Sequence, residues 1–572
     1  MKALMIMVVT FLGYIVMYRL YGRYLARKIF ALDPDAPVPS RELEDGVDYV
    51  PTKKEVIFGH HFASIAGTGP IVGPAIAIIW GWLPALLWVF FGSVLMGAVH
   101  DFGALVISMR NQGKSISDFT SKYVNPRTRF LFFLLVFLEL WIVIAIFGLV
   151  IALIFAKYPE SVLAVWAQIP IAVGLGYLVY KKNMGILLLS IFAIGLMYCT
   201  IFLGPYFPFV MPAVGGLPPT GVWTIILLVY AFIASILPVT TLLQPRDFIN
   251  CHQLILAMLL MVLGVFASSL FGGLDIVAPA IQATPKEAPP MWPFLFITIA
   301  CGAISGFHSL VSSGTSAKQV CSEEDSLFVG YGAMLMEGAL ATLVIIAVAA
   351  GIGMGYRTGN GELLKGTAAW SQHYSSWTAA AGLGSKVSAF VDGSANMIMT
   401  LGIPKMFTLA IMAVFVASFA GTTLDTATRI QRYVLSELFA SFKLDFLTGK
   451  YAATGIAVGS AAALAFASGA SGKGALTLWP LFGAVNQTLA ALALIIITAY
   501  LKARGGLKWL ISGIPSVFMV AMVIWATIMN QAKFVQSHNY LLQAVNLASL
   551  VVACWIMIEG TIKIVQTKPA GK

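Results

Sequence analysis

The sequence predicts an all-α polytopic membrane protein, from its composition, the length of its apolar runs and the placement of its basic residues. Of 572 residues, 59% are hydrophobic and 10% charged, against roughly 25% charged in a soluble chain. Apolar runs able to cross roughly 30 Å of hydrocarbon recur from end to end, giving about 15 crossings. With the N-terminus outside and the C-terminus cytoplasmic, most of the 35 Lys and Arg residues fall in inner loops, as the positive-inside rule requires. The net charge of +11 therefore reads as membrane orientation and not as nucleic-acid binding.

The crossings follow in order. The first, 3–28, has no small-residue cleavage site, so it reads as a helix and not a signal peptide. An acidic, proline-rich inner loop spans 33–55. The second crossing, 59–80, reads FGHHFASIAGTGPIVGPAIAII from Phe58 to Ile79, with His60 and His61 at its start and Gly67, Gly69, Pro70, Gly73 and Pro74 interrupting it. Broken helix at membrane depth strands backbone polar groups, which is tolerated where protein buries them or a cavity solvates them. Such breaks form solute sites near the midplane of transporters; glycines alone would equally serve close helix packing.

Crossing 83–109 carries His100 and Asp101, with Asp101 expected to pair with His60, His61 or Arg110. Crossing 130–156 holds Glu139 deep among bulky neighbours, and 161–180 and 184–203 are plain apolar runs. Crossing 221–244 contains ASILPVTTLLQPRDF and is expected to break near Pro238, five crossings after the first break and in the opposite direction; that is the pattern of inverted-repeat transporters. Span 248–270 follows. Crossing 293–316 ends in CGAISGFHSLVSSGTSAKQV, where His308, Ser312, Ser313 and Thr315 supply an imidazole and neutral oxygens. Hard cations such as sodium prefer oxygen ligands, while the same hydroxyls can simply join helices.

Crossing 326–356 holds Glu337, and Lys386 to Leu401 reads as a re-entrant or interfacial piece. In 404–428 and its extension, FAGTTLDTATRIQRY places Asp425 and Arg429 at i,i+4, a local salt bridge or an inner gate. The remaining crossings are 451–469, 474–500 (with Asn486 and Gln487 in LWPLFGAVNQTLAAL), 508–530 and 538–562. The five cysteines show no ligand spacing, so no metal site is predicted, and no Walker or dinucleotide fingerprint appears.

The strings GHHFASIAGTGPIVGPAIA, SGFHSLVSSGTS, AGTTLDTATRIQRY and LWPLFGAVNQTLA, in that order, resemble the carbon starvation protein CstA family of bacterial inner-membrane transporters. The resemblance covers most of the chain. It implies ion-driven uptake of peptides or pyruvate and a fold related to the amino acid–polyamine–organocation superfamily. The family's signature then falls on His60, His61, Gly67, Gly69, Pro70, His308, Ser312, Ser313, Asp425 and Asn486.

The combined expectation is a secondary transporter and not an enzyme. It has a first helix and loop (1–58), an inverted-repeat core of five-helix units (59–356) and an accessory region (357–572). Gly67, Gly69, Pro70, Gly73, Pro238, His308, Asn486 and Gln487 are expected to bind substrate, with peptides preferred over pyruvate. His60, His61, Asp101, Ser312, Ser313 and Thr315 are expected to couple the ion, H+ in preference to Na+, with no other cofactor. Asp425 and Arg429 are expected to form the gate or structural pair.

Overall fold

A computed structural model describes residues 1–182, 184–358 and 361–567. Twelve of its helices are long and apolar enough to cross a membrane, and one bent pair adds a thirteenth span. In chain order the main helices are α1 (Lys2–Ile29), the bent pair α2 (Lys54–Ala66) and α3 (Gly69–Trp80), α4 (Trp82–Met109), α5 (Pro126–Lys157), α6 (Pro159–Lys181), α7 (Leu188–Tyr206), α8 (Pro219–Ile236) and α9 (Leu243–Leu270). Then come two short helices, α10 (Met291–Thr298) and α11 (Gly306–Gly314). They are followed by α12 (Leu327–Met354), α13 (Leu383–Met399), α14 (Lys405–Ser441), α15 (Lys450–Phe466), α16 (Trp479–Ala503), α17 (Leu510–Gln536) and α18 (Tyr540–Gln566). Among the described residues, β structure is confined to one antiparallel pair, Tyr356–Arg357 with Leu363–Leu364, and two isolated bridges.

Burial separates centre from rim. The most apolar windows of α12, α14 and α16 are 94%, 89% and 89% buried by protein, against 22% for α1 and 28% for α18. The region after residue 357 is therefore not merely accessory: α14 and α16 stand in the middle of the bundle. An apolar helix gains nothing from facing protein instead of lipid tails, so the central positions fall to helices with small residues and paired polar groups. In α14 these are Gly421, Thr422, Thr423, Asp425 and Thr426, all buried.

The break in the first predicted core helix is present. At Gly67 the chain takes φ +34°, ψ −147°, a left-handed conformation open to glycine, and α3 departs from α2 at 41°. Pro70 occupies the first turn of α3, where its missing N–H costs nothing. The second break is not at Pro238. That residue lies in the connection between α8 and α9, where Val239 donates its N–H to the Val47 carbonyl at 3.0 Å and Arg429 donates to the Leu237 carbonyl. Proline there ends one helix before the next begins, so it marks a turn and not an unwound mid-span segment.

The second break is at 299–305, inside the segment expected to be the single crossing 293–316. The α2–α3 and α10–α11 pairs run antiparallel, side by side. His60 meets Thr315 and His61 meets Ser316; further along, a side chain at Gly69 would collide with Cys301 and one at Gly73 with the Thr298 carbonyl. The second break packs against the start of α3, just past the first, since a Cβ on Gly302 would lie 3.7 Å from Pro70.

The face carrying loop 33–53 also holds the segment after α11 and the second half of α14, through Thr52 paired with Val320 and Asp48 with Arg429. Helix α13 lies toward the opposite face. Its start is near Lys157 at the end of α5, through Ser388, and its end is near Gly264 and Gly272 at the end of α9.

Candidate functional site

Unwinding two neighbouring helices leaves backbone groups that neighbouring side chains must satisfy. Trp88 of α4 donates its indole N–H to the Ile299 carbonyl at 2.9 Å. Gln487 of α16 donates to the Phe296 carbonyl at 2.7 Å. Asn486 accepts from the Phe307 N–H at 2.9 Å and exchanges hydrogen bonds with Ser305. These amides, expected to meet substrate, instead hold the start of α11 and the end of α10. The corresponding start of α3 has no side-chain cap, and its Gly69 and Gly73 line a cavity of about 320 Å³. Helices α3, α10, α13, α16 and α17 enclose that cavity, with Cys301, Lys386, Asn530 and Lys533 among its lining and, among the described residues, no carboxylate.

Beside the breaks lie two buried histidine–carboxylate networks. In one, Asp101 accepts from His100 Nδ1 at 2.8 Å and from His308 Nδ1 at 3.0 Å, and His308 Nε2 is 3.5 Å from Glu337 of α12. Asp101 thus does not pair with His60, His61 or Arg110; Arg110 goes to Glu323 at 2.6 Å. One ligand atom each from Cys301, His308 and Glu337 lies within 4.8 Å of the others, the one group among the described residues with a plausible metal-ligand set. In the second network His60 Nδ1 is 2.6 Å from Asp247 of α9, while its Nε2 is 3.2 Å from Thr315. His61 Nδ1 meets Ser316 at 2.8 Å, leaving its other nitrogen buried without a partner.

Of the hydroxyls expected to couple the ion, Ser313 and Thr315 are engaged by other groups. Ser313 receives the Ile116 N–H at 3.0 Å and bonds the Ser309 carbonyl, which commits it to the short helix Ile116–Tyr123. Thr315 bonds Val311 and His60. Ser312 alone keeps a free, buried hydroxyl. Gly67 abuts Thr423 of α14, whose hydroxyl is also buried and unpaired.

The Asp425–Arg429 pair is a further correction. Asp425 is held by Arg246 of α9 and by the Tyr230 hydroxyl at 2.7 Å, and Gly421 leaves room for the Arg246 guanidinium. Arg429 points the other way, to Asp48 at 2.8 Å. Residues four apart share a helix face, yet each found a stronger partner on another element. Asp48 also meets Arg432 at 2.9 Å and the Tyr433 hydroxyl at 2.6 Å, so loop 33–53 is strapped across that face. Burial by itself would raise the Asp48 carboxyl; Arg432, Arg429, Tyr433 and Lys318 outweigh it and hold it below the usual carboxylate value.

Sequence reading missed Arg246, Asp247 and Tyr230 as partners. Arg246 and Asp247 were legible as charges inside an apolar stretch, a signal of function or pairing. Glu139 is buried with both oxygens unpartnered.

A family model described as Carbon starvation protein CstA matches residues 2–526. The chain is 33% identical over 587 residues to the Pyruvate/proton symporter BtsT of Escherichia coli (strain K12), covering 92% of this chain and 81% of that protein. It is 34% identical over 552 residues to the Peptide transporter CstA of Bacillus subtilis (strain 168), covering 92% and 90%. Among solved structures, MhsT in complex with L-phenylalanine superposes with a TM-score of 0.44 at 12% identity, over 89% of this chain and 99% of that one; so loose an overlap carries no argument. On the family model and on relatives matched over most of both lengths, the chain belongs to the carbon starvation protein CstA family.

Proposed function

We propose that this protein is a secondary transporter of the bacterial inner membrane that takes up pyruvate together with protons, its N-terminus outside and its C-terminus in the cytoplasm. It moves solute and performs no catalysis. The observation that carries the reading is the pair of antiparallel broken helices in which the 299–305 break packs on Gly69 and Pro70, just past the Gly67–Thr68 break, beside a cavity. Oppositely directed broken helices at one depth are how inverted-repeat transporters build a midplane site. In this reading α2–α3 and α10–α11 are the equivalent broken helices of the two repeats; the six spans between them, α4–α9, exceed the five-helix spacing expected from sequence, and the buried α14 and α16 belong to the same core.

An uncapped helix start attracts anions through its free N–H groups and dipole. The proposed carboxylate seat is the start of α3, through the Gly69 N–H and the helix dipole, because Pro70 has no N–H and the Ile71 and Val72 N–H groups bond the Thr68 carbonyl; Gly73 leaves room beside it and His308 lies deeper. The cavity supports a small carboxylate over a peptide on two grounds. Its volume is at the low end of the roughly 300–1,000 Å³ of ligand pockets. Its lining offers Lys386 and Lys533 but no carboxylate for a peptide's ammonium end. Similarity to a pyruvate/proton symporter points the same way, while similarity to peptide transporters keeps small peptides as the second reading.

Proton coupling rests on the Asp101–His308–Glu337 chain, since histidine and carboxylate relays inside membranes carry protons. Sodium is the weaker alternative, because Ser313 and Thr315 are engaged elsewhere. Reconstituted protein should accumulate labelled pyruvate under an imposed pH gradient and not under a sodium gradient. Inhibition by unlabelled di- and tripeptides, with uptake of the labelled peptides, would move the assignment to peptides.

A further inference from the structure

We propose that Cys301, His308 and Glu337 form a binding site for a zinc-class divalent cation at the second helix break. One ligand atom from each lies within 4.8 Å of the other two. His308 Nε2 and Glu337 are already 3.5 Å apart, close to the spacing that bonds of roughly 2.0–2.3 Å impose on two tetrahedral ligands. The thiol needs to close by about an ångström to complete the set, a movement suited to the unwound segment that carries it.

The donor chemistry points to a metal more than to a proton alone. His308 Nε2 and both Glu337 oxygens have no strict hydrogen-bond partner although fully buried, and unpaired polar atoms in such a place are costly. Asp101 accepts from the other ring nitrogen of His308, which fixes Nε2 as the lone-pair nitrogen; a carboxylate behind a histidine is the usual support of a zinc ligand. A proton relay has no use for Cys301, whereas sulfur, imidazole and carboxylate together suit zinc.

Charges balance at the site. Zinc displaces the thiol proton and any proton on Glu337, leaving a dication with one thiolate, one carboxylate and one neutral imidazole. Three protein ligands leave a fourth position, and Cys301, half-buried, borders the cavity that gives access. An ion there ties the break to α11 and α12, so it competes with protons for His308 and Glu337 and halts the cycle.

The test uses purified full-length protein in detergent, with Zn2+ and with Co2+ as a spectroscopic substitute. The expected result is one ion per chain and a cobalt spectrum with a thiolate charge-transfer band. Cys301→Ser removes that band while Cys321→Ser keeps it, and Asp101→Asn weakens binding by about 10–100-fold. In the unmodified chain, Zn2+ should slow alkylation of Cys301 but not of exposed Cys199, as read by peptide mass spectrometry; this arm does not depend on any variant folding. Stoichiometric binding that survives Cys301→Ser, absence of binding, or equal alkylation of Cys301 with and without Zn2+ would each overturn the proposal.

Discussion

Asp48 shows how one side chain can hold a long loop. It is 18% exposed, while Arg429 and Arg432 opposite it are 1% and 3% exposed, so neither guanidinium can turn to water if the carboxylate is lost. Removing one partner from a buried pair costs about 3–5 kcal/mol, and partial exposure puts Asp48→Asn near the lower end. Because the folded-state pKa is lowered, the contribution is complete above the ordinary value of about 3.9 and disappears as pH falls through the lowered one. Amide exchange in loop 33–53 should therefore show no pH-dependent opening, beyond intrinsic chemistry, from about pH 5 to 8. In Asp48→Asn the loop should exchange faster across that whole range.

Asn486 makes a second argument at this scale. Its side chain serves the Phe307 N–H and Ser305, so Asn486→Ala leaves buried groups unpaired at a cost of about 1–3 kcal/mol. The expected outcome is a lower melting temperature and a reduced maximal uptake rate with little change in KM. A large rise in KM at unchanged stability would restore the substrate-binding role expected from sequence.

At the scale of elements, small residues set how closely the broken helices pass. A Cβ at Gly73 would press into the Thr298 carbonyl, and backbone cannot swing aside as a side-chain tip can. Gly73→Ala should separate α3 from α10 and abolish uptake while the protein still inserts. Gly174→Ala in α6, with nothing within 4 Å of the new methyl, should leave uptake intact and add about 0.5–1 kcal/mol of helix stability. If both variants transport alike, the helix-pair geometry is not what the cycle depends on. The glycine and proline signals near Gly67 were readable because they break rules local to a helix. The second break was not, since 299–305 has one glycine, Gly302, and no proline; its unwinding is permitted by Trp88, Asn486 and Gln487, which reach it from α4 and α16.

At the scale of the molecule, coupling requires that one buried network respond to both proton and solute. Glu337 stands on α12, the most enclosed span, and faces His308 on the segment that continues the second break. Glu337→Gln should lose pyruvate accumulation driven by a pH gradient while keeping exchange of labelled for unlabelled pyruvate, as counterflow in proteoliposomes would report. Loss of accumulation and exchange together, with normal binding, would place Glu337 in the translocation path itself and not in coupling.

What the sequence determined by itself was the class, most of the spans (about 15 expected, 12 or 13 among the described residues) and the first break, because span length, hydropathy and the φ demanded by glycine are properties of neighbouring residues. It also marked His60, His61, Asp101, His308 and Asp425 as polar groups too costly to bury idly. Tertiary structure alone decided their partners. Asp425 turned from Arg429 to Arg246, Asp101 from the expected His60, His61 or Arg110 to His100 and His308, and Cys301 met Glu337 from another helix. In hydrocarbon an unpaired charge is so expensive that each group takes the best partner within reach, and reach is set by helix packing, which no spacing along one chain segment encodes.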